Sequence, residues 1–180
     1  MRKKRWLAVG GLVVCIQLMI CAGAWAKDRG FGISGAYGQS TDNIDVFRFG
    51  LQKPFSSRWF ESRAGALSGY FELSYNLWDK SGDTTHGAAF SPVFAYYFNM
   101  ETNRYVFPYI EAGIGAAYID EYRIAGRNLS SNFQFEDRIG IGVLINRVDI
   151  SLGYMHYSNA GLVSPNDGID IWIGTVAWRF

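Results

Sequence analysis

Cysteine is nearly missing from this 180-residue chain, and both copies, Cys15 and Cys21, lie close to the N-terminus. A chain cleaved after that region has none. This excludes a disulfide framework, a cysteine-bound zinc and a thiol nucleophile together. Histidine is also scarce. His86 and His156 are the only two, and they are far apart, so a zinc site built on imidazoles is excluded as well. Asp79 and Asp83 are the carboxylates placed to hold a loop calcium ion, but no ligand pattern calls for a metal. Helical periodicity is almost absent. The G-x-G spacings at Gly113/Gly115 and Gly140/Gly142 sit inside strand-like segments with no helix to follow, so a nucleotide-binding turn is excluded. There is no Pro/Ser linker, no low-complexity tract and no internal repeat.

The N-terminus supplies the only strongly basic run. Arg2, Lys3, Lys4 and Arg5 precede an apolar stretch from Trp6 to Ile20, and Ala24-Trp25-Ala26 has the small-x-small pattern of a signal-peptidase site. Residues 1–26 are expected to be a cleavable signal and residues 27–180 a single barrel domain. A lipidated Cys21 would need a small residue before it, and Ile20 is bulky. The signal takes four of the 17 basic residues and none of the 16 acidic ones. That leaves 13 basic against 16 acidic, a net charge of −3, which offers nothing to nucleic acid.

What remains is rich in aromatics and glycine and alternates apolar with polar residues. Segments of roughly ten such residues, separated by turn clusters, are the mark of a transmembrane β-barrel. Eight strands are expected: Phe31–Gln39, Ile44–Phe55, Gly65–Trp78, Thr85–Phe98, Tyr105–Ile119, Asn132–Ile145, Val148–Ser158 and Ile169–Phe180. The third sets Leu67, Phe71, Leu73, Tyr75 and Leu77 against Glu72, Ser74 and Asn76. The sixth sets Ile139, Ile141, Val143 and Ile145 against Gln134, Glu136 and Arg138. Alternation alone does not say which face is inside. The signal, the aromatic density and the terminal Phe180 decide for lipid outside and a polar lumen. Glu72, Glu111, Glu136 and Arg138 then form an interior charge network. The closing strand ending in Phe180 resembles the C-terminal strands read by the outer-membrane barrel-assembly machinery. The fold class is thus all-β, an eight-stranded antiparallel transmembrane barrel. An even strand count puts both termini on the periplasmic side, and the loop Asn159–Gly168 on the outside.

One constellation carries chemistry. On the seventh strand Val148, Ile150, Leu152, Tyr154, His156 and Ser158 share a face. On the eighth, counting back from Phe180, Asp170 shares the face of Trp172 and Trp178. If that face is outward, a base, a hydroxyl and a carboxylate project from the lipid-facing wall near its outer rim. These are the parts for nucleophilic acyl transfer: Ser158 as nucleophile, His156 as general base and acid, and Asp170 orienting the imidazole. Asn159, through its side-chain amide, or nearby backbone N–H groups, would serve as oxyanion donors. Basic groups on a barrel's lipid face cost about 2–4 kcal/mol at mid-membrane but only about 0–1 near the rim, and acidic groups less. The same depth holds the esters of outer-leaflet lipids. Polar residues are also common at a water interface, so spacing alone leaves a non-catalytic rim standing beside the triad. His86 reads as a solvated rim residue.

Longer blocks narrow the choice. Phe90-Ser91-Pro92-Val93-Phe94, Pro108 to Gly115, Phe135 to Gly140, and His156 to Leu162 continuing through Pro165-Asn166-Asp167-Gly168-Ile169 resemble the PagL-type lipid A 3-O-deacylases of Gram-negative outer membranes. The resemblance spans most of the region after the signal. It implies an eight-stranded barrel that hydrolyses the ester at the 3 position of lipid A without a cofactor. It places the nucleophile on Ser158, the base on His156, the oxyanion-hole asparagine on Asn159 and the triad acid on Asp170. The family more usually has glutamate there, one methylene longer. The expected partners are lipid A in the outer leaflet and the assembly machinery. The resemblance also leaves room for a homodimer. The competing functions are a non-catalytic adhesin or structural barrel, and another lipid enzyme, either a phospholipase or a palmitoyl transferase holding its acyl chain inside the barrel.

Overall fold

The computed structural model describes residues 30–100 and 105–180. The expected signal, residues 1–26, lies outside the described residues. In chain order the strands are β1 (Gly32–Ser40), β2 (Asp45–Pro54), β3 (Gly65–Lys80), β4 (Asp83–Phe98), β5 (Val106–Ile119), β6 (Arg123–Ile124), β7 (Arg127–Asn128), β8 (Phe133–Ile145), β9 (Val148–Ser158) and β10 (Ile169–Arg179). The eight long ones close into a barrel in the order β1-β10-β9-β8-β5-β4-β3-β2, every neighbour antiparallel. All eight expected strands are present, with ends within two residues of those read from the alternation. Closure by β1 against β10, from Gly32↔Arg179 to Ser40↔Ile171, leaves no unpaired edge. Lipid demands this, because nothing in the hydrocarbon satisfies a free N–H or C=O. The two-residue strands β6 and β7 were not anticipated. They form a separate hairpin in the connection from β5 to β8.

The alternation sorts the side chains as expected. Leu73, Ile110, Ile114, Ile139, Ile141 and Leu152 project outward and are more than half exposed. In water that would be unfavourable by about 25 cal/mol per Å² of apolar surface; in lipid it is not. Inside, Glu72, Ser74 and Asn76 of β3 and Gln134 and Glu136 of β8 are buried.

The lumen is filled: beyond a cluster of Ala95, Tyr97 and Tyr109 at the end near the termini, it holds two tiers. The tier nearer the termini is ionic. Arg48 donates to Glu72 Oε1 at 2.6 Å and to Glu136 Oε2 at 2.8 Å, while Arg138 donates to Glu72 Oε1 at 2.8 Å and Glu136 Oε1 at 2.9 Å. Two guanidinium groups against two carboxylates leave no net charge, as burial requires. Arg48 was not singled out in the sequence. Its signal is the inward series Val46, Arg48, Gly50, Gln52 alternating with Phe47, Phe49 and Leu51. The tier toward the opposite rim is apolar, built on Ile44, Trp78, Ile119, Tyr157, Ile169 and Ile171, and capped by Ile124 and Leu129 from the β5–β8 connection. A uniformly polar lumen was expected; the apolar tier replaces part of it. Among Ser34, Arg48, Tyr70, Glu111 and Arg138 a cavity of about 20 Å³ remains, room for about one water. Among the described residues the filled tiers leave no space for an acyl chain inside the barrel.

Candidate active site

The site is built by the β9–β10 hairpin at the rim opposite the termini. Its register pairs Asp170 directly with His156 and Ile169 with Tyr157. The even positions of both strands face outward, so His156, Ser158 and Asp170 lie on the lipid-side wall. His156 Nδ1 lies 2.7 Å from Asp170 Oδ1. A carboxylate only accepts, so Nδ1 carries the proton; in the neutral ring the lone pair is then on Nε2. The shorter aspartate reaches the imidazole, and its carboxylate also accepts a hydrogen bond from the Tyr154 hydroxyl. The side chains of His156 and Asp170 remain 38% and 34% exposed. Ser158 is nearly covered, at 8%. Its Oγ accepts Ala160 N–H at 3.4 Å, and among the described residues it has no hydrogen bond to His156. Nucleophile–base contacts are often loose without substrate and tighten when it binds.

Tyr157 ties this outer arrangement to the lumen. It lies between His156 and Ser158 in sequence, so it points the opposite way and is only 1% exposed. Its hydroxyl donates to Glu136 and accepts Arg48 Nη1 at 3.1 Å, and its ring meets Trp78 at 4.7 Å. The ionic tier thereby fixes the height and twist of β9 where the two outward groups sit. On the other flank, β8 places Asp137 opposite His156 and Phe135 opposite Ser158. The imidazole thus stands between two outward carboxylate-bearing positions, of which only Asp170 was singled out beforehand.

The loop from Asn159 to Gly168 departs from expectation at one residue. The Asn159 amide is not free to act as an oxyanion donor. It is fully buried, and its Nδ2 donates to Leu129 O at 2.7 Å and Val163 O at 2.9 Å. Its Oδ1 accepts Gly161 N–H at 2.9 Å. With both polar ends committed, Asn159 shapes the loop. Asn166 was missed. Its Oδ1 accepts Asn159 N–H at 3.2 Å, and its Nδ2 has no hydrogen bond among the described residues. The place of Gly168 is exacting. It has φ +61°, and a Cβ there would lie 2.8 Å from His156 Cε1. Pro165 and the turn at Ala160-Gly161 (φ +54° and +76°) complete the loop. We expect Gly168→Ala to push the imidazole off Asp170 and lower kcat by about 100-fold, the scale of a 1 Å misplacement, while the heat-modifiable barrel persists. Steady-state kinetics of the refolded variant check this.

The remaining expected polar groups are elsewhere. His86 is exposed near the β3–β4 turn, with Nδ1 2.7 Å from Tyr75 Oη and its N–H on Asp120 at 2.8 Å. Asp79 accepts the Thr84 hydroxyl at 3.3 Å. Among the described residues no three His, Cys, Asp or Glu side chains gather as a metal site.

A closed eight-stranded barrel, apolar outside, with an imidazole–carboxylate pair beside a serine on its outer wall, defines a membrane-embedded barrel with the parts of an ester hydrolase. The comparisons give the family. The profile of the lipid A 3-O-deacylase (PagL) family matches residues 45–179. The lipid A deacylase PagL of Pseudomonas aeruginosa is 38% identical over 148 residues, covering 81% of this chain and 84% of that protein. The lipid A deacylase PagL of Bordetella bronchiseptica is 33% identical over 168 residues, covering 90% of each. The crystal structure of the outer-membrane enzyme PagL superposes with a TM-score of 0.77 at 34% identity, over 83% of this chain and 99% of that one. The chain belongs to the PagL family. It is an outer-membrane β-barrel hydrolase.

Proposed function

We propose that this protein removes the 3-O-linked acyl chain of lipid A from within the outer leaflet, using Ser158, His156 and Asp170. The observation that supports it most directly is the 2.7 Å contact between His156 and Asp170 on the lipid-side wall, two residues from Ser158 on the same face. The substrate class comes from the relatives, both lipid A deacylases.

In this mechanism the ester carbonyl settles against the rim beside Ser158. A turn of the Ser158 side chain brings Oγ to His156 Nε2, which takes its proton as Oγ attacks. Asp170 holds the other ring nitrogen and stabilises the imidazolium. The tetrahedral oxyanion is met by Ala160 N–H, which already points at Ser158 Oγ, and by the unengaged amide of Asn166. Each such donor is worth roughly 3–4 kcal/mol in the transition state. His156 then protonates the departing sugar hydroxyl. Water repeats the sequence on the acyl-serine and releases a 3-hydroxy fatty acid. Every proton is accounted for without a cofactor. The lumen filled by the described residues argues against a transferase that sequesters its acyl chain inside. In the same reading, β10 with its terminal Phe180 is what the barrel-assembly machinery engages.

The test is mass spectrometry of lipid A from cells expressing the wild type or His156→Ala. The wild type should shift lipid A down by one 3-hydroxyacyl chain and the variant should not. Identical spectra from the two would end the proposal. Asp170→Asn should keep the geometry while allowing the wrong imidazole tautomer, and reduce kcat by about 10⁴-fold. Asp170→Glu, measured in the same assay, should retain most of the activity.

A further inference from the structure

The β6–β7 hairpin is unexplained by the barrel or by the chemistry above. It adds Ile124 and Leu129 to the apolar tier, and several of its polar groups reach the loop that carries the site. Asn128 N–H donates to Asp167 Oδ2 at 2.6 Å, and Asp167 N–H donates to Asn128 O at 3.3 Å. Leu129 O takes the Asn159 amide at 2.7 Å. The hairpin therefore grips both ends of the loop that carries the site.

Arg127 is at the centre of that grip. Its Nε and Nη2 donate to the two oxygens of Asp42 at 2.6 and 3.1 Å, a two-pronged pair with the β1–β2 turn. Its Nη1 donates to the carbonyls of Asp167 at 3.0 Å and Gly168 at 3.3 Å. The same β1–β2 turn also reaches the site by Thr41 N–H on Asp170 O at 3.2 Å. One planar guanidinium thus joins three rim segments, a geometry that lysine cannot copy. Gly168 has no side chain to hold it in place and packs on the imidazole. Its carbonyl is where Arg127 fastens.

We propose that Arg127 is a positioning residue for the deacylase: by fastening Gly168 and Asp167 to Asp42, it holds His156 against Asp170. This rests on the catalytic reading given above. The pair with Asp42 is partly solvent-exposed, and exposed pairs add little stability, so the effect belongs to turnover rather than to folding.

The test is kinetics of the purified, refolded protein on lipid A in detergent. Arg127→Ala should remain a heat-modifiable barrel and lose about 10- to 100-fold in kcat, with KM within about twofold. Arg127→Lys should recover only part of the loss. Asp42→Ala, which leaves the arginine in place, should show a similar kcat loss, and the double variant should be no worse than Arg127→Ala alone. Amide hydrogen exchange over residues 159–168 should quicken in both single variants. Wild-type kcat in Arg127→Ala would overturn the proposal. A loss confined to KM would also do so, since it would mean substrate binding. Fully additive losses in the double variant would show that the two residues act separately. If Arg127→Ala fails to fold, Asp42→Ala and Arg127→Lys decide on the same criteria. The outcome is separable from the catalytic reading: Ser158→Ala that still deacylates would remove that reading, whereas an inactive Ser158→Ala beside a fully active Arg127→Ala removes only the role of Arg127.

Discussion

Ser158→Ala is expected to abolish release of the 3-hydroxyacyl chain, a loss of about 10⁶-fold in kcat, as removal of the nucleophile causes in serine hydrolases. The barrel should be unaffected. Ser158 Oγ makes one long hydrogen bond, 3.4 Å from Ala160 N–H. Losing a neutral bond of this kind costs about 1 kcal/mol or less. The mutated protein should therefore show the same heat-modifiable band and the same unfolding midpoint as the wild type. Substrate binding should also survive, since the lipid-contacting wall of Tyr154, Leu152 and Trp172 is untouched. The check is fatty-acid release from lipid A by the purified protein beside a binding measurement on the same sample. Residual deacylation within tenfold of the wild type would mean that another nucleophile does the work.

The second large effect is on stability. Glu136→Leu should destabilise the barrel by about 3–5 kcal/mol, the usual result of removing one partner from a buried ionic cluster. Glu136 accepts Arg48 through both Nη atoms at 2.8 and 2.9 Å, Arg138 at 2.9 Å, Ser91 Oγ at 2.7 Å and the Tyr157 hydroxyl. Without it, Glu72 is the one carboxylate left bonded to both guanidinium groups at the barrel centre. Glu136→Gln keeps two hydrogen-bonding ends and should cost less. The measurement is the urea midpoint of unfolding from lipid vesicles. A change under about 1 kcal/mol in Glu136→Leu would show that water relieves the stranded charges. Activity should fall more steeply with temperature in Glu136→Leu than in the wild type, because Tyr157 loses its anchor and β9 loosens beside His156 and Ser158.

Both predictions depend on a pattern that was plain in the sequence. Strand side chains alternate with period two, so the series ending in His156 and Ser158 had to share a face with Leu152 and Ile150. Asp170 had to share one with Trp172. The turn clusters gave the strand ends to within two residues. The hairpin β6–β7 was not legible because two-residue strands carry no periodicity. The apolar upper lumen was not legible either, since Ile169, Ile171 and Tyr157 read as ordinary members of amphipathic strands. Arg48 could have been found by asking which side chain would balance Glu72 and Glu136.

The site shows the same division. The His156–Asp170 pairing could be anticipated as a shared face, but a ten-residue loop does not set register, and a shift by one residue would have turned Asp170 inward. Asn159 shows the limit most clearly. Its type and place beside Ser158 suited an oxyanion donor, yet a carbonyl 30 positions away, that of Leu129, takes its amide.

The sequence by itself determined the class of fold, which face of each strand meets lipid, and the identity of the three groups brought to the rim. Local geometry makes residues of one parity share a face, and the signal, the aromatic density and the terminal Phe180 say that the apolar face meets lipid. Tertiary structure alone decided the registry that sets His156 at 2.7 Å from Asp170, the filling of the lumen, and the fastening of the loop by Arg127. Those depend on hydrogen bonds between segments far apart in the chain, whose partners are fixed only when the barrel closes.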